Sequence, residues 1–231
     1  MAVSTVVPGV HQISLGAVNA YLLESPDGLT LIDAGFPNNE KAILKAVESL
    51  GRQASDVRHI FLTHCHIDHA GSAAALKRAT GAEVLMHPTD AALVSRGEFL
   101  RPLTPAPGFV NAIVGRLTVW LAPKKMEPCV VDQELHDGQE LSTVNGLRVV
   151  HVPGHCEGQV ALLWPQSGGV LFAADSCASA FGLALSPAYE DLEAGRRSLK
   201  KLASLEFEHA CFGHGGPLRG GAAEKFRKLW G

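Results

Sequence analysis

The chain has 231 residues, 46% hydrophobic and 19% charged. That is a globular balance, far from a disordered chain, and the length suits one large domain at about 150 residues per typical domain. Twenty Lys and Arg against 23 Asp and Glu leave a net charge of −3, which argues against nucleic acid or an anionic membrane as partner and points to a small molecule.

Five scattered cysteines without a CxxC pair exclude a disulfide framework. No basic leader followed by an apolar core opens the chain, so the sequence predicts a cytoplasmic protein. The longest apolar stretch, 109–122, is interrupted by Asn111 and Arg116 and falls short of the ~20 residues that span a bilayer.

Residues 10–15, 20–24 and 29–32 are short apolar runs divided by Gly, Pro and Asp, and they predict a meander of strands. Ile43, Leu44 and Val47 at helical spacing, with Gly51 as a breaker, predict a helix over 37–50. Residues 57–62 predict a buried strand that delivers the polar cluster 63–69; an alanine-rich helix follows to Thr80 and stops at Gly81. Residues 88–100 read as helical, and the Pro/Gly-rich piece 102–108 as a hinge. Beyond it Val110, Ile113, Val114, Leu117 and Leu121 trace one apolar helix face. Such a face is either packed on the core or forms a lid or homodimer surface over 109–121. The chain returns to strands at 147–152, 159–164 and 170–173, then a helix from about 187 to 205 capped by Ser186, a strand at 210–212 and a closing helix at 222–230. Bases on these last helices alternate with acids, as on solvated faces.

Chemistry concentrates at strand ends. Thr63-His64-Cys65-His66-Ile67-Asp68-His69 holds four potential ligands in six positions. In an extended segment i and i+2 share a side, so His64 and His66 can chelate one ion while Cys65 points away as packing. The chain then turns into a helix where Asp68 can cap and His69 faces elsewhere, so one loop can feed two metals. His155 follows Val152-Pro153-Gly154, and His214 sits in Phe212-Gly213-His214-Gly215. Each alone is a turn histidine as readily as a ligand. Asp175 ends the apolar run 170–174 and can bridge two cations. His87 and His151 are the most consequential of the remaining histidines, which read as structural or surface groups. Cys156 and Cys177 flank site residues as packing.

The run His64-x-His66-x-Asp68-His69, followed in order by Gly154-His155, Asp175 and Gly213-His214, resembles the metallo-β-lactamase superfamily. That resemblance implies an α/β fold, a four-layer αβ/βα sandwich of two facing mixed sheets with outer helices, in one domain over 1–231 with a helical lid-like insertion at about 95–128. It implies that His64, His66 and His155 bind one metal, Asp68, His69 and His214 a second, and that Asp175 bridges. Asp33 matches the family's aspartate that orients ligands without binding metal. The cofactors implied are two divalent ions, zinc by default, with Mn, Fe, Co or Ni as alternatives set by availability.

The activity implied is hydrolysis by a hydroxide bridging the metals, with Asp68 as catalytic proton acceptor and shuttle. Tyr189 is a candidate oxyanion or substrate-contacting hydroxyl. The compact length and the absence of a flavodoxin module disfavour the nuclease, glyoxalase II and flavodiiron branches. The apolar 95–128 segment favours a neutral or amphipathic carboxylic ester, lactone or thioester. The tyrosine that lactonases of the family place soon after the bridging Asp is missing at 178–180. A phosphotriester or phosphodiester hydrolase and a mononuclear-iron persulfide dioxygenase are the alternatives.

Overall fold

Successive residues of a strand point to opposite faces, and here both faces are apolar, so each strand feeds two cores at once. The computed structural model describes residues 2–108, 111 and 125–231. Its first sheet contains β1 (Ala2–Val7), β2 (Val10–Ser14), β3 (Asn19–Ser25), β4 (Gly28–Ile32), β5 (Val57–Phe61) and β6 (Glu83–Met86) as neighbours in that order. Thr104–Pro105 forms β7 outside this sheet, and β8 (Gln133–Glu134) closes its far edge. The first four strands run antiparallel; from β4 onward the pairing is parallel. The crossovers are α1 (Glu40–Ser49), then α2 (Ile67–Ala70) with α3 (Ala73–Thr80), then α4 (Pro88–Val94).

The second sheet takes β9 (Glu140–Leu141), β10 (Leu147–His151), β11 (Val160–Trp164) and β12 (Val170–Phe172). The chain then makes a small hairpin, β13 (Cys177–Ala178) with β14 (Ala184–Leu185), and β15 (Ala188–Tyr189), which pairs with β7. Helix α5 (Leu192–Ala203) leads to β16 (His209–Cys211), parallel to β12, then β17 (Leu218–Arg219) and α6 (Ala222–Trp230).

Alternation then makes the layers. Leu23, Ile32, Phe61 and Leu85 of the first sheet meet Val149, Leu162, Trp164 and Phe172 of the second in a central core. Their neighbours Leu22, Leu31, Ile60 and Val84 face Ile43, Val47 and Leu76 of the helices on one outside. Val150, Ala161 and Leu171 face Leu199, Leu202 and Phe226 on the other. The result is a four-layer αβ/βα sandwich.

Several expected elements shift. The helix expected from 187 begins at Leu192, because Asp191 caps it by accepting from the Ala194 amide (2.9 Å) while the Ser186 hydroxyl is bonded to the Asp175 carbonyl (2.7 Å). The helix over 88–100 stops at Val94, and Gly97 with φ +74° turns the chain. The hinge expected at 102–108 contains β7, and the Ala106 amide donates to the Pro187 carbonyl, so this stem is fastened to β15. The apolar helix face at 109–121 falls almost entirely outside the described residues, as does the middle of the 95–128 insertion. Among the described residues no helix is long and apolar enough to cross a membrane.

Two polar side chains on β3 couple the first sheet to the C-terminal loop of the second. The buried Tyr21 hydroxyl donates to the Phe212 carbonyl (2.8 Å) and accepts from the Phe212 amide (3.1 Å), and Asn19 Nδ2 donates to Phe212 O and Gly215 O. Tyr21→Phe leaves the buried Phe212 amide without its acceptor, while the Phe212 carbonyl keeps the Asn19 donor. It is expected to lower unfolding free energy by about 1–3 kcal/mol in urea titrations; an unchanged midpoint would contradict the coupling.

Candidate metal centre

The loops after β5, β10, β12 and β16 leave the same edge of the two sheets, and each brings site residues there. The first loop supplies His64, His66, Asp68 and His69; His66, not Asp68, occupies the N-cap position of α2, and Asp68 lies in its first turn. The others supply His155, Asp175 and His214. All seven of these side chains come together. His66 Nδ1 lies 3.2 Å from His64 Nε2 and 3.0 Å from His155 Nε2, so three ring nitrogens face one point. Asp68 Oδ2 lies 3.4 Å from His214 Nε2 and 3.8 Å from His69 Nε2, forming a second group beside it. Asp175 touches both: its Oδ2 is 3.5 Å from His155 Nε2 and 3.1 Å from His214 Nε2, and its Oδ1 is 3.6 Å from His69 Nε2.

Each imidazole is held by the nitrogen it does not present. His155 Nδ1 donates to the Ala188 carbonyl (2.8 Å) and His214 Nδ1 to the Ala17 carbonyl (2.6 Å). Carbonyls only accept, so Nδ1 of each ring carries the hydrogen and Nε2 faces the centre. His69 Nδ1 donates to Asp33 Oδ2 (2.8 Å). Thr63 Oγ1 gives its hydrogen to Asp33 and accepts from His64 Nδ1 (3.0 Å), so Asp33 steers His69 directly and His64 through Thr63. Asp33, at φ +63°, also accepts from the Thr63 amide. His66 is reversed: Nδ1 faces inward and Nε2 meets Cys156 Sγ at 3.2 Å.

Electrostatics divides the cluster. Burial, then the neighbouring imidazoles, holds His64 well below the usual histidine range, and burial with His155 pushes His66 down to about 3. These rings are neutral, with free lone pairs. Burial opposes charge on His69 and His214 too, but the carboxylates of Asp175 and Asp68, with Asp33 acting on His69, prevail and hold both well above the usual range. Conversely, burial works against Asp68 and Asp175 as anions, and the facing imidazoles hold both carboxyls below the ordinary range.

Two buried atoms test whether these residues fit a metal ion. His69 Nε2 and Asp175 Oδ1 are buried without a hydrogen-bond partner, and at 3.6 Å they are too far apart to bond each other but within the span of two ~2.1 Å ligand bonds to one ion. Gly213 leaves them room: a Cβ there would overlap Asp175 Oδ1 and lie 2.6 Å from His69 Cε1. The residues fit divalent metal.

The sequence profile of the metallo-beta-lactamase superfamily matches residues 13–214. The chain belongs to this superfamily. Probable metallo-hydrolase YflN of Bacillus subtilis (strain 168) is 25% identical over 92% of this chain and 86% of its own. A hydroxyacylglutathione hydrolase of Anaeromyxobacter dehalogenans is 31% identical over 62% of this chain, which spans 41% of that enzyme. Among solved structures, a motif variant of a metallo-beta-lactamase from Cronobacter sakazakii is 27% identical, with TM-score 0.72 over 93% of this chain and 80% of that one. The chain is accordingly a metal-dependent hydrolase of the metallo-beta-lactamase superfamily.

Against that superfamily frame, the expectation for Tyr189 is corrected. Its ring is fully buried, and its hydroxyl donates to the Ser176 carbonyl (2.8 Å) and accepts from the Ser186 amide (3.0 Å). Burial pushes the phenol well above its usual range. It brackets the turn after Asp175 and has no hydrogen left for an oxyanion. Cys156, expected as packing alone, contacts His66, whereas Cys65 is packing, with Sγ 4.0 Å from Cys156 Sγ. His87 caps α4 and stacks on His151 with centroids 4.2 Å apart, away from the centre's ligand set. Thr63, Ser186 and Asp90 were not signalled as site residues. Asp90 had one available mark, a lone carboxylate directly before the apolar stretch 91–94 of α4.

Tyr189→Phe is expected to cost about 1–3 kcal/mol of stability while leaving kcat within a few-fold of wild type. A kcat loss beyond 100-fold without loss of thermal midpoint would return Tyr189 to the reacting groups.

Proposed function

We propose that the protein is a binuclear hydrolase of a neutral or amphipathic acyl substrate, a carboxylic ester, lactone or thioester. The observation that carries the two-ion reading is the pairing of donor sets: three inward nitrogens of His64, His66 and His155 on one side, Asp68, His69 and His214 on the other, with Asp175 reaching both. His64 Nε2, His66 Nδ1 and His155 Nε2 would hold one ion, zinc by default, and Asp68, His69 and His214 the other. Divalent ions so bound supply a water acidified to near neutrality and a Lewis acid for the scissile carbonyl.

The chain's own groups do the remaining work. The Asp68 side chain is 21% exposed against 5% for Asp175 and 4% for Asp33, so it is the site carboxylate that reaches substrate. Held ionised by His69 and His214, it accepts a hydrogen bond from the attacking water and passes the proton to the leaving group. Asp33 and Thr63 keep the imidazoles in register. Beyond burial, the groups that act most strongly on His64, His66, Asp68, His69, Asp175 and His214 are one another, His155 and Asp33. The relatives named hydroxyacylglutathione hydrolase, by that name, act on an acyl derivative and support the same bond class.

Elemental analysis of protein purified without chelators is expected to give about two divalent ions per chain, falling to about one in His214→Ala; about one iron with little else would overturn the two-ion reading. On an ester, lactone and thioester panel, Asp68→Asn is expected to lower kcat by about 10²–10⁴-fold with the fold intact. Full activity in that variant, or in Asp175→Ala, would overturn the assignment.

A further inference from the structure

Asp90 lies on α4, outside every ligand loop, yet it is fully buried and bonded to two of them. Its Oδ2 accepts from the Cys65 amide (3.0 Å), between His64 and His66. Its Oδ1 accepts from the Gly158 amide (3.1 Å), three residues after His155. One carboxylate therefore spans the two loops whose histidines converge on a single point. The approach is close: a Cβ on Gly158 would lie 2.6 Å from Asp90 Cγ.

A buried anion requires compensation, and Arg101 provides it. Arg101 Nη1 donates to Asp90 Oδ1 at 2.7 Å, and Nη2 donates to the Thr89 carbonyl. The same guanidinium reaches Glu190 Oε1 at 3.3 Å, and Glu190 Oε2 accepts from the Glu157 amide (2.8 Å). The loop carrying His155 is thus held from two directions around one arginine. The loop carrying His214 is held by other groups, Tyr21, Asn19 and Ala17.

We propose that Asp90, compensated by Arg101, is a positioning residue that sets the separation of His155 from His64 and His66, and so selectively tunes one of the two metal positions. This rests on the metal reading above. Without the carboxylate, the Cys65 and Gly158 amides lose their common acceptor and the three inward nitrogens lose their fixed spacing, while the Asp68, His69 and His214 group keeps its own supports. Outer partners of this kind change metal affinity by about 10–100-fold.

The test is zinc affinity, by competition with a chromophoric chelator, for Asp90→Ala and Asp90→Asn in two backgrounds. His214→Ala leaves the His64, His66 and His155 position to be read; His155→Ala leaves the other. Asp90→Ala is expected to weaken the first position by about 10–100-fold and to change the second by less than about 3-fold, with Asp90→Asn intermediate because its amide oxygen preserves one acceptor. Should Asp90→Ala not fold, the isosteric Asn variant decides by the same asymmetry. Equal weakening at both positions, or none at the first, overturns the positioning role. The parent backgrounds report on the metal reading separately: failure of both to bind zinc overturns that reading, and with it this proposal.

Discussion

An imidazole has two nitrogens, and one of them must be anchored if the other is to be aimed. The organisation of this protein around its metal centre follows from that constraint. Five histidines converge, and each spends its outward nitrogen on a different partner: a carbonyl for His155 and His214, Asp33 for His69, Thr63 for His64, a thiol for His66. The partners come from loops of the first sheet, from the loop between β10 and β11 and from the segment after β12, so the site exists only where the halves meet. An imidazole without its anchor would be free to rotate and to change tautomer, and the convergence of lone pairs would be lost.

The frame that supplies these anchors is insensitive to most local detail. Because strands are apolar on both faces, they must be covered twice, and the two sheets face each other with helices outside. Loops at one edge are then brought within a few ångströms whatever their sequence separation. Fine spacing comes from a few buried polar groups. Tyr21 and Asn19 hold the His214 loop, Tyr189 and Ser186 the turn after Asp175, and Asp90 the loops on either side of His66. Each is a buried side chain satisfied by backbone, so its removal leaves unpaired groups that cost stability as well as geometry.

The site also divides functionally by charge. One half keeps neutral rings; the other packs carboxylates against imidazoles, a dense arrangement of buried charge whose His69 Nε2 and Asp175 Oδ1 are unsatisfied within the protein. Such a cluster is stabilised when a cation shares its ligands, which links metal binding to the integrity of the site.

What the sequence determined by itself is the cluster of candidate ligand side chains and the order of strands and helices, and its family resemblance implied the layered class. Four ligand-type side chains in six positions, and strands ending in Asp or Gly-His, are local patterns governed by periodicity and strand-end geometry, and they are readable without any contact. Meander strands and the helices after β4 and β5 are legible for the same reason. The anchors are not. Nothing local distinguishes Thr63 from other threonines, and the Tyr189 hydroxyl looked available because its distance from Asp175 along the chain says nothing of the carbonyl and amide that engage it. The helix start at Leu192 was hidden because Ser186, a good cap by sequence, gives its hydroxyl to the Asp175 carbonyl, a choice made by a residue in the turn after β12. Tertiary structure alone decided these matters, since a hydrogen-bonding group's role depends on which distant backbone group folding leaves unpaired beside it.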